Sequence, residues 1–266
     1  MQAISIYAEP QSNWGSCRRL MRGIVQRVAA KRMVAAMDSV TGQAGALRAT
    51  GQNDAAVVLL ELASAFGHSP SRAHKAWLLI EGRDRVARDR AAAFELAKEG
   101  AGLGCHHCQG VMALCYAWGC GCEVDAARSL ELARESSGKG SRYGQFTLGW
   151  LHRWGDGGLA KDNAQAFALY AMAAQQGLDG AQYELGDMLY NGTGFAQDFA
   201  EAMRWFQLAA AQGEADAMWK IGEIHERGRG VRKSKSTAIR WYKRACVAGQ
   251  GDDALRALSH LLNSRV

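Results

Sequence analysis

The stretch that decides the fold is residues 178–213, LDGAQYELGDMLYNGTGFAQDFAEAMRWFQLAAAQG. Ala181, Leu185, Met188 and Leu189 recur at i, i+4, i+7 and i+8, the spacing of one helix face. Gly192-Thr193-Gly194 then interrupts that helix where the chain has to reverse. Asp198 predicts the N-cap of a second helix, with Glu201 three residues on to complete a capping box. The second helix turns Ala202, Trp205, Phe206, Ala209 and Ala210 inward, and Gly213 supplies a left-handed residue to end it. Two helices this short cannot bury their apolar faces alone, so the unit requires neighbours of its own kind.

Those neighbours are written along the chain. The closing glycine recurs as Gly104, Gly140, Gly177, Gly213 and Gly249, at intervals of 36, 37, 36 and 36 residues. The N-cap column reads Asp89, Asp125, Asp162, Asp198 and Ser234, all good cap residues. A small-residue column reads Ala93, Ser129, Ala166, Ala202 and Ala238, and a turn-glycine column Gly82, Gly119, Gly155, Gly192 and Gly228. Columns in register at one period define a repeat array, in which each unit packs on the next. Gly149, Gly186 and Gly222 in the first helices allow close approach, and Trp205, Trp241, Tyr170, Phe206 and Tyr242 are expected to fill the space beside them, with Trp205 and Trp241 in a core column of the repeat.

The repeated residues resemble the Sel-one-like repeat (SLR) family, a relative of the tetratricopeptide repeat. The family pattern appears in 178–213 at Ala181, Leu185, Gly186, Gly192, Gly194, Asp198, Ala202, Trp205, Phe206, Ala209, Ala210 and Gly213. It is strong again in 214–249 and 141–177, looser in 105–140, and in 68–104 reduced to Gly82, Asp89, Ala93 and Gly104. The resemblance implies an all-α fold: a right-handed superhelical α/α solenoid of helix–turn–helix repeats of 36–37 residues. Gly67 and Ala56, 37 residues before Gly104 and Ala93, suggest a decayed unit over 38–67, bringing the count to about six. The expected organisation is a basic tail or helix over 1–30, divergent repeats over 31–104, four clearer repeats over 105–249 and a capping helix over 250–266. In that last helix Leu255, Leu258, Leu261 and Leu262 are expected to cover the final pair.

Composition narrows the function classes. Only two prolines, Pro10 and Pro70, agree with helix nearly throughout. No run of about 18 apolar residues suggests a membrane span, and no secretory h-region stands at the start. Arg18, Arg19, Arg22, Arg27, Lys31 and Arg32 lie in an acid-free amphipathic segment. That segment reads either as an organelle-targeting leader or as a solvated capping helix, so the expected compartment is cytoplasmic with organelle targeting as the alternative. Gly192-x-Gly194 and Gly228-x-Gly230 lack the third glycine and the preceding strand of a dinucleotide site; they are turns. No nucleophile elbow or zinc-protease motif is present, and no cofactor or enzymatic activity is expected.

Two local features remain. Cys105-His106-His107-Cys108, followed by Cys115, Cys120 and Cys122, has the softness and ligand number of a zinc site. The candidate ligands are Cys105, His107, Cys108, Cys120 and Cys122. A helix between the two ends of the cluster would hold them about 15 Å apart, which opposes a single site. Cysteine-rich bacterial members of the resembled family bridge cysteines eight residues apart; that spacing is absent, so reduced thiols are expected. From Arg227 to Arg244 eight bases occur with no acid, a patch suited to an acidic protein surface and, less well, to nucleic acid. The resemblance implies a monomeric, non-catalytic scaffold or adaptor binding a protein on its concave face. Trp118, Trp150, Trp154 and Trp219 on the first helices, with Arg229, Arg232, Lys233 and Lys235, are the candidate contacts. The alternatives are a metal- or thiol-dependent module at Cys105–Cys122, or a cell-wall-related hydrolase-like repeat protein.

Overall fold

The architecture is that of a computed structural model describing residues 68–82, 86–249 and 251–263, with 36, 58–60, 63 and 64. The basic segment 17–32, and nearly all of the unit expected over 38–67, lie outside the described residues. Five helix pairs follow one another: α1 (Ser69–Glu81) with α2 (Arg90–Gly102), α3 (His106–Trp118) with α4 (Ala126–Gly138), α5 (Arg142–Trp154) with α6 (Asn163–Gln175), α7 (Asp179–Asn191) with α8 (Phe199–Ala211), and α9 (Ala215–Arg227) with α10 (Lys235–Ala248). A last helix, α11 (Gly251–Asn263), closes the array. Among the described residues there is no strand.

The sequence columns act where their chemistry places them. Asp89, Asp125, Asp162, Asp198 and Ser234 each cap a second helix by accepting a backbone N–H from its first turn. Glu201 does not complete the capping box, because the Asp198 backbone N–H donates to the Leu189 carbonyl at 3.0 Å, and the Glu201 carboxylate accepts instead from the Arg204 guanidinium at 2.8 Å. Each first helix ends on its turn glycine, as Gly192 does at φ 68°, a conformation that favours glycine. The small column is fully buried, and where serine replaces alanine the Ser129 hydroxyl donates to the Ala113 carbonyl at 2.8 Å. Gly149, Gly186 and Gly222 lie directly against the rings of Tyr170, Phe206 and Tyr242.

The aromatic column itself is split. Phe206 and Tyr242 are fully buried, whereas Trp205 and Trp241, one residue earlier, are half-buried at the edge of the core. Arg244 lies 4.2 Å over the Trp241 ring and covers its outer side. The capping helix also differs from expectation. Ala254 and Leu261 are buried, with Ala257 and Leu258 half-buried beside Ala238 and Tyr242, while Leu255 and Leu262 stay exposed. The covering face is the single i, i+3, i+4, i+7 stripe from residue 254, and Leu255 and Leu262 lie off it.

The first helices α1, α3 and α5 pack on one another in turn, and each second helix packs chiefly on its own partner and on the helix that follows it. The first helices therefore lie on the inside of the curve. An ion-pair ladder runs along that inner side. Arg153 on α5 binds Glu184 and Asp187 on α7, and Lys220 on α9 reaches Asp187 at 3.5 Å and Glu223 at 3.4 Å. Side chains holding charge pairs across three units fix the rotation of each unit on the next.

Candidate functional site

The inner face is where the sequence placed its tryptophan anchors, and the structure sorts them. Trp77 is fully buried rather than available. Its ring meets Tyr143 at 5.6 Å and Phe146 edge-on at 5.2 Å, and it lies against Gly180 of the fourth pair. The curve is thus tight enough for the first unit to touch the fourth, and Trp77 plugs its centre. Arg142 helps to hold that plug, donating to the Tyr143 hydroxyl, the Gln176 carbonyl and His74. Trp118 and Trp150 sit at the border of this cluster, half-buried and 6.1 Å apart edge-on, with Trp118 also 6.2 Å from Phe146.

Beside Trp118 the inner face opens into a cavity of about 380 Å³, lined by Ile80, Glu81, Arg88, Arg90, Trp118, Glu214 and Asp216 among others. It joins the first turn of the array to the start of the last pair. One wall is basic, with Arg88 anchored on the Glu81 carbonyl at 3.0 Å and Arg90 exposed at the start of α2. The opposite wall carries Glu214 and Asp216, and Ile80 and Ala215 add apolar surface. None of these wall residues was marked in the sequence. They share no period and meet only because the superhelix brings the first and fifth units together.

The other expected contacts do not gather here. Trp154 is exposed at the end of α5, flanked by Arg153 and Lys161. Trp219 is half-buried under Lys220 on α9. The basic run is partly consumed inside the fold: Arg227 pairs with Glu223 at 2.9 Å, and Arg229 donates to the Tyr190 hydroxyl at 3.0 Å and lies over its ring. Arg232 and Lys233 remain exposed on the turn before α10, with Lys235 at its first position.

The cysteine cluster is divided as the helix length requires. Cys105 is the N-cap of α3 and Cys108 its third residue, while Cys120 and Cys122 lie beyond its other end. Among the described residues no three His, Cys, Asp or Glu side chains converge as a metal site would demand. Cys105 and Cys108 meet at one end of α3 and Cys120 and Cys122 lie beyond the other, so the candidate ligands Cys105, His107, Cys108, Cys120 and Cys122 are not gathered into one site. Burial and the neighbouring Cys120 and Cys122 push the Cys115 thiol well above its ordinary range, so it is a packed apolar group. Burial, with His106 and Arg142 nearby, lowers His107 to about 4, leaving its imidazole neutral at pH 7. Its Nδ1 lies 3.2 Å from the Ser141 hydroxyl.

Capped helix pairs of fixed length stacked around a curved inner face define an α/α repeat solenoid of the interaction type. The Sel1 repeat family model matches residues 76–105, 106–141, 142–178, 180–214 and 215–249, and the chain belongs to that family. Among solved structures, a Sel1 repeat protein from Oxalobacter formigenes is 24% identical, covers 83% of this chain and 89% of its own, and superposes with a TM-score of 0.56. A protective antigen of uropathogenic Escherichia coli with the SLR fold is 24% identical over 91% of this chain and 60% of its own, TM-score 0.37. Helicobacter pylori cysteine rich protein B is 20% identical over 51% of this chain and 96% of its own, TM-score 0.39. The Oxalobacter formigenes likeness shows the fold. No curated protein matches the chain. Sel1 repeats generally mediate protein–protein interaction and are typically non-enzymatic. Among the described residues no helix is long and apolar enough to cross a membrane.

Proposed function

We propose that this chain is a non-catalytic scaffold that holds an extended segment of a partner protein in the cavity beside Trp118. The observation carrying this reading is the cavity itself: about 380 Å³, open, with a tryptophan edge, a basic wall and an acidic wall. An extended peptide presents both amide polarity and charged side chains, which such walls can match, while the half-buried indole provides the apolar anchor that dominates many interfaces. Trp150, packed on Trp118, supports that anchor. The exposed turn at Arg232 and Lys233, with Arg229 and Lys235, forms a second contact for an acidic part of a partner. The pairs of Arg227 to Glu223 and of Arg229 to Tyr190 tie part of the run into the fold, which disfavours nucleic acid.

The test is capture of partners on the full-length chain from its own cells, with Trp118→Ala, Arg90→Glu and Trp154→Ala in parallel, followed by titration of the captured protein. A partner whose affinity falls about 30-fold with Trp118→Ala, as a hot-spot loss of about 2 kcal/mol requires, and also weakens with Arg90→Glu but not with Trp154→Ala, supports the groove. A partner that ignores both groove variants refutes it.

A further inference from the structure

Cys105 and Cys108 stand in a setting that the scaffold reading does not use. Cys105 caps α3, and its Sγ accepts the Cys108 backbone N–H at 3.4 Å. Cys108 is buried, its thiol donating to the Ser69 carbonyl at 3.4 Å, in space left open by Gly100, where a Cβ would lie 2.2 Å from the sulfur. The equivalent positions in the following units are Ser141 and Gly144, Leu178 and Ala181, and Glu214 and Ala217. The cap and the small contact are thus met elsewhere without sulfur, and this unit alone pairs two thiols across them.

A second observation marks the place for negative charge. Arg72 on α1 is 9% exposed, and its Nη1 is buried with no hydrogen-bond partner, although Nη2 reaches Glu99 at 3.5 Å. A buried guanidinium nitrogen without an acceptor is costly unless an anion is near. Arg72 lies close enough to both sulfurs to favour their ionised forms. The other charged or titratable groups here are Glu99 on α2 and His106 and His107 on α3. His107, with Pro70, Arg142, Tyr143 and Gln176, lines a cavity of about 190 Å³ beside the helix start.

We propose that Cys105 and Cys108 are a redox-active dithiol that reacts with low-molecular-weight disulfides of the glutathione class and closes to an intramolecular disulfide at the start of α3. The Cys105 thiolate attacks one sulfur of the small disulfide, forming a mixed disulfide and expelling one thiolate. Cys108 then gives up its proton to that thiolate or to water and attacks Cys105 Sγ, expelling the second thiolate, which is protonated. The protein dithiol is oxidised by two electrons, and one small disulfide is reduced to two thiols. Closure requires the two Cβ atoms, about 5–6 Å apart at this spacing on a helix, to approach to about 3.5–4.5 Å; Cys105 Sγ already lies 3.4 Å from the Cys108 backbone nitrogen. The chemical division of labour is also in place. The neighbouring Cys108 thiol and the backbone N–H groups of Cys108 and His107 hold Cys105 below the ordinary thiol range against the opposing effect of its own burial, whereas the neighbouring Cys105 sulfur and burial drive Cys108 upward.

The experiment uses the full reduced chain in buffers of oxidised and reduced glutathione, read by peptide mapping, together with the pH profile of Cys105 alkylation. Wild type is expected to form a Cys105–Cys108 disulfide and to show an alkylation midpoint below the ordinary thiol range. Cys108→Ala, which matches Ala181 and Ala217 in the same column, should accumulate glutathione on Cys105 and raise the midpoint toward the ordinary thiol range. Cys105→Ser, which matches Ser141, should leave Cys108 unmodified. A Cys105 midpoint at about 8.5, the unperturbed thiol value, or the absence of a Cys105–Cys108 bridge in oxidised glutathione overturns the proposal. Neither result bears on partner capture at the Trp118 groove.

Discussion

Gly222 offers the most direct check on how the units are held together. It lies on α9 against α10, and a Cβ built there would sit 2.6 Å from Tyr242 Cε1, 2.7 Å from Cδ1 and 3.1 Å from Cζ. Ordinary contact requires about 3.4–4 Å, so Gly222→Ala forces the ring or the helix to retreat by roughly 1 Å. The ring has little freedom, being 1% exposed with its hydroxyl donating to Glu226 at 2.7 Å. Overpacking of this kind costs about 1–3 kcal/mol, and alanine regains about 1 kcal/mol of helix propensity over glycine. The expected net loss is about 1 kcal/mol, or about 2–4 °C in Tm for a chain of this size. Gly138→Ala is the control, because its Cβ would meet nothing within 4 Å at the end of α4. It should be neutral or stabilising. Thermal circular dichroism of both variants decides the matter, with hydrogen exchange expected to rise in α9 and α10 for Gly222→Ala alone. Equal or higher stability of Gly222→Ala would refute the claim that the glycine column exists for close approach.

The inner ion-pair ladder predicts a pH effect with a definite sign. Burial raises Glu184 from its ordinary 4.5 to about 7 in spite of Arg153. Between those values the folded chain binds more protons than the unfolded one, so this group's stabilising contribution is full below about 4.5 and lost as pH rises through about 7. The span is about 3 kcal/mol at most, and Glu184→Gln should flatten the Tm profile between pH 5 and 8; an unchanged slope would exclude Glu184 as its source. At the other end, Leu261 is 6% exposed against Ala238 and Tyr242. Leu261→Ala should lose about 2–3 kcal/mol locally, seen as faster hydrogen exchange in α10 and α11 with α1 to α4 unchanged, because repeat arrays couple only through neighbours.

The repeat columns made the unit legible because each encodes a short-range necessity. An aspartate that accepts an N–H three residues on, a glycine at positive φ and an alanine in a helix contact act within one unit, and the period exposes them. Asp162 and Gly192 could be assigned roles before any coordinate existed. The separation of Cys105 and Cys108 from Cys120 and Cys122 was equally readable, since helix rise alone keeps the two ends of α3 apart. Leu261 and Leu262, like Phe206 and Trp205, are neighbours about 100° apart around the helix, so only the first of each pair lies in the buried stripe.

The candidate site belongs to the other category. Trp77 lies on a first helix as the candidate anchors do, yet it is the plug of the curve. Arg88, Arg90, Glu214 and Asp216 carried no signal, although they line the cavity beside Trp118. Small rotations between successive pairs accumulate over five units, and their sum determines whether the first unit meets the fourth and fifth. Each rotation is set by inter-unit packing and by links such as Arg153 to Glu184 and Lys220 to Asp187, which no single period expresses. The amino-acid sequence determined the unit, its caps and its core; the tertiary structure decided how tightly the units curl, and hence which surfaces close and which remain open to a partner.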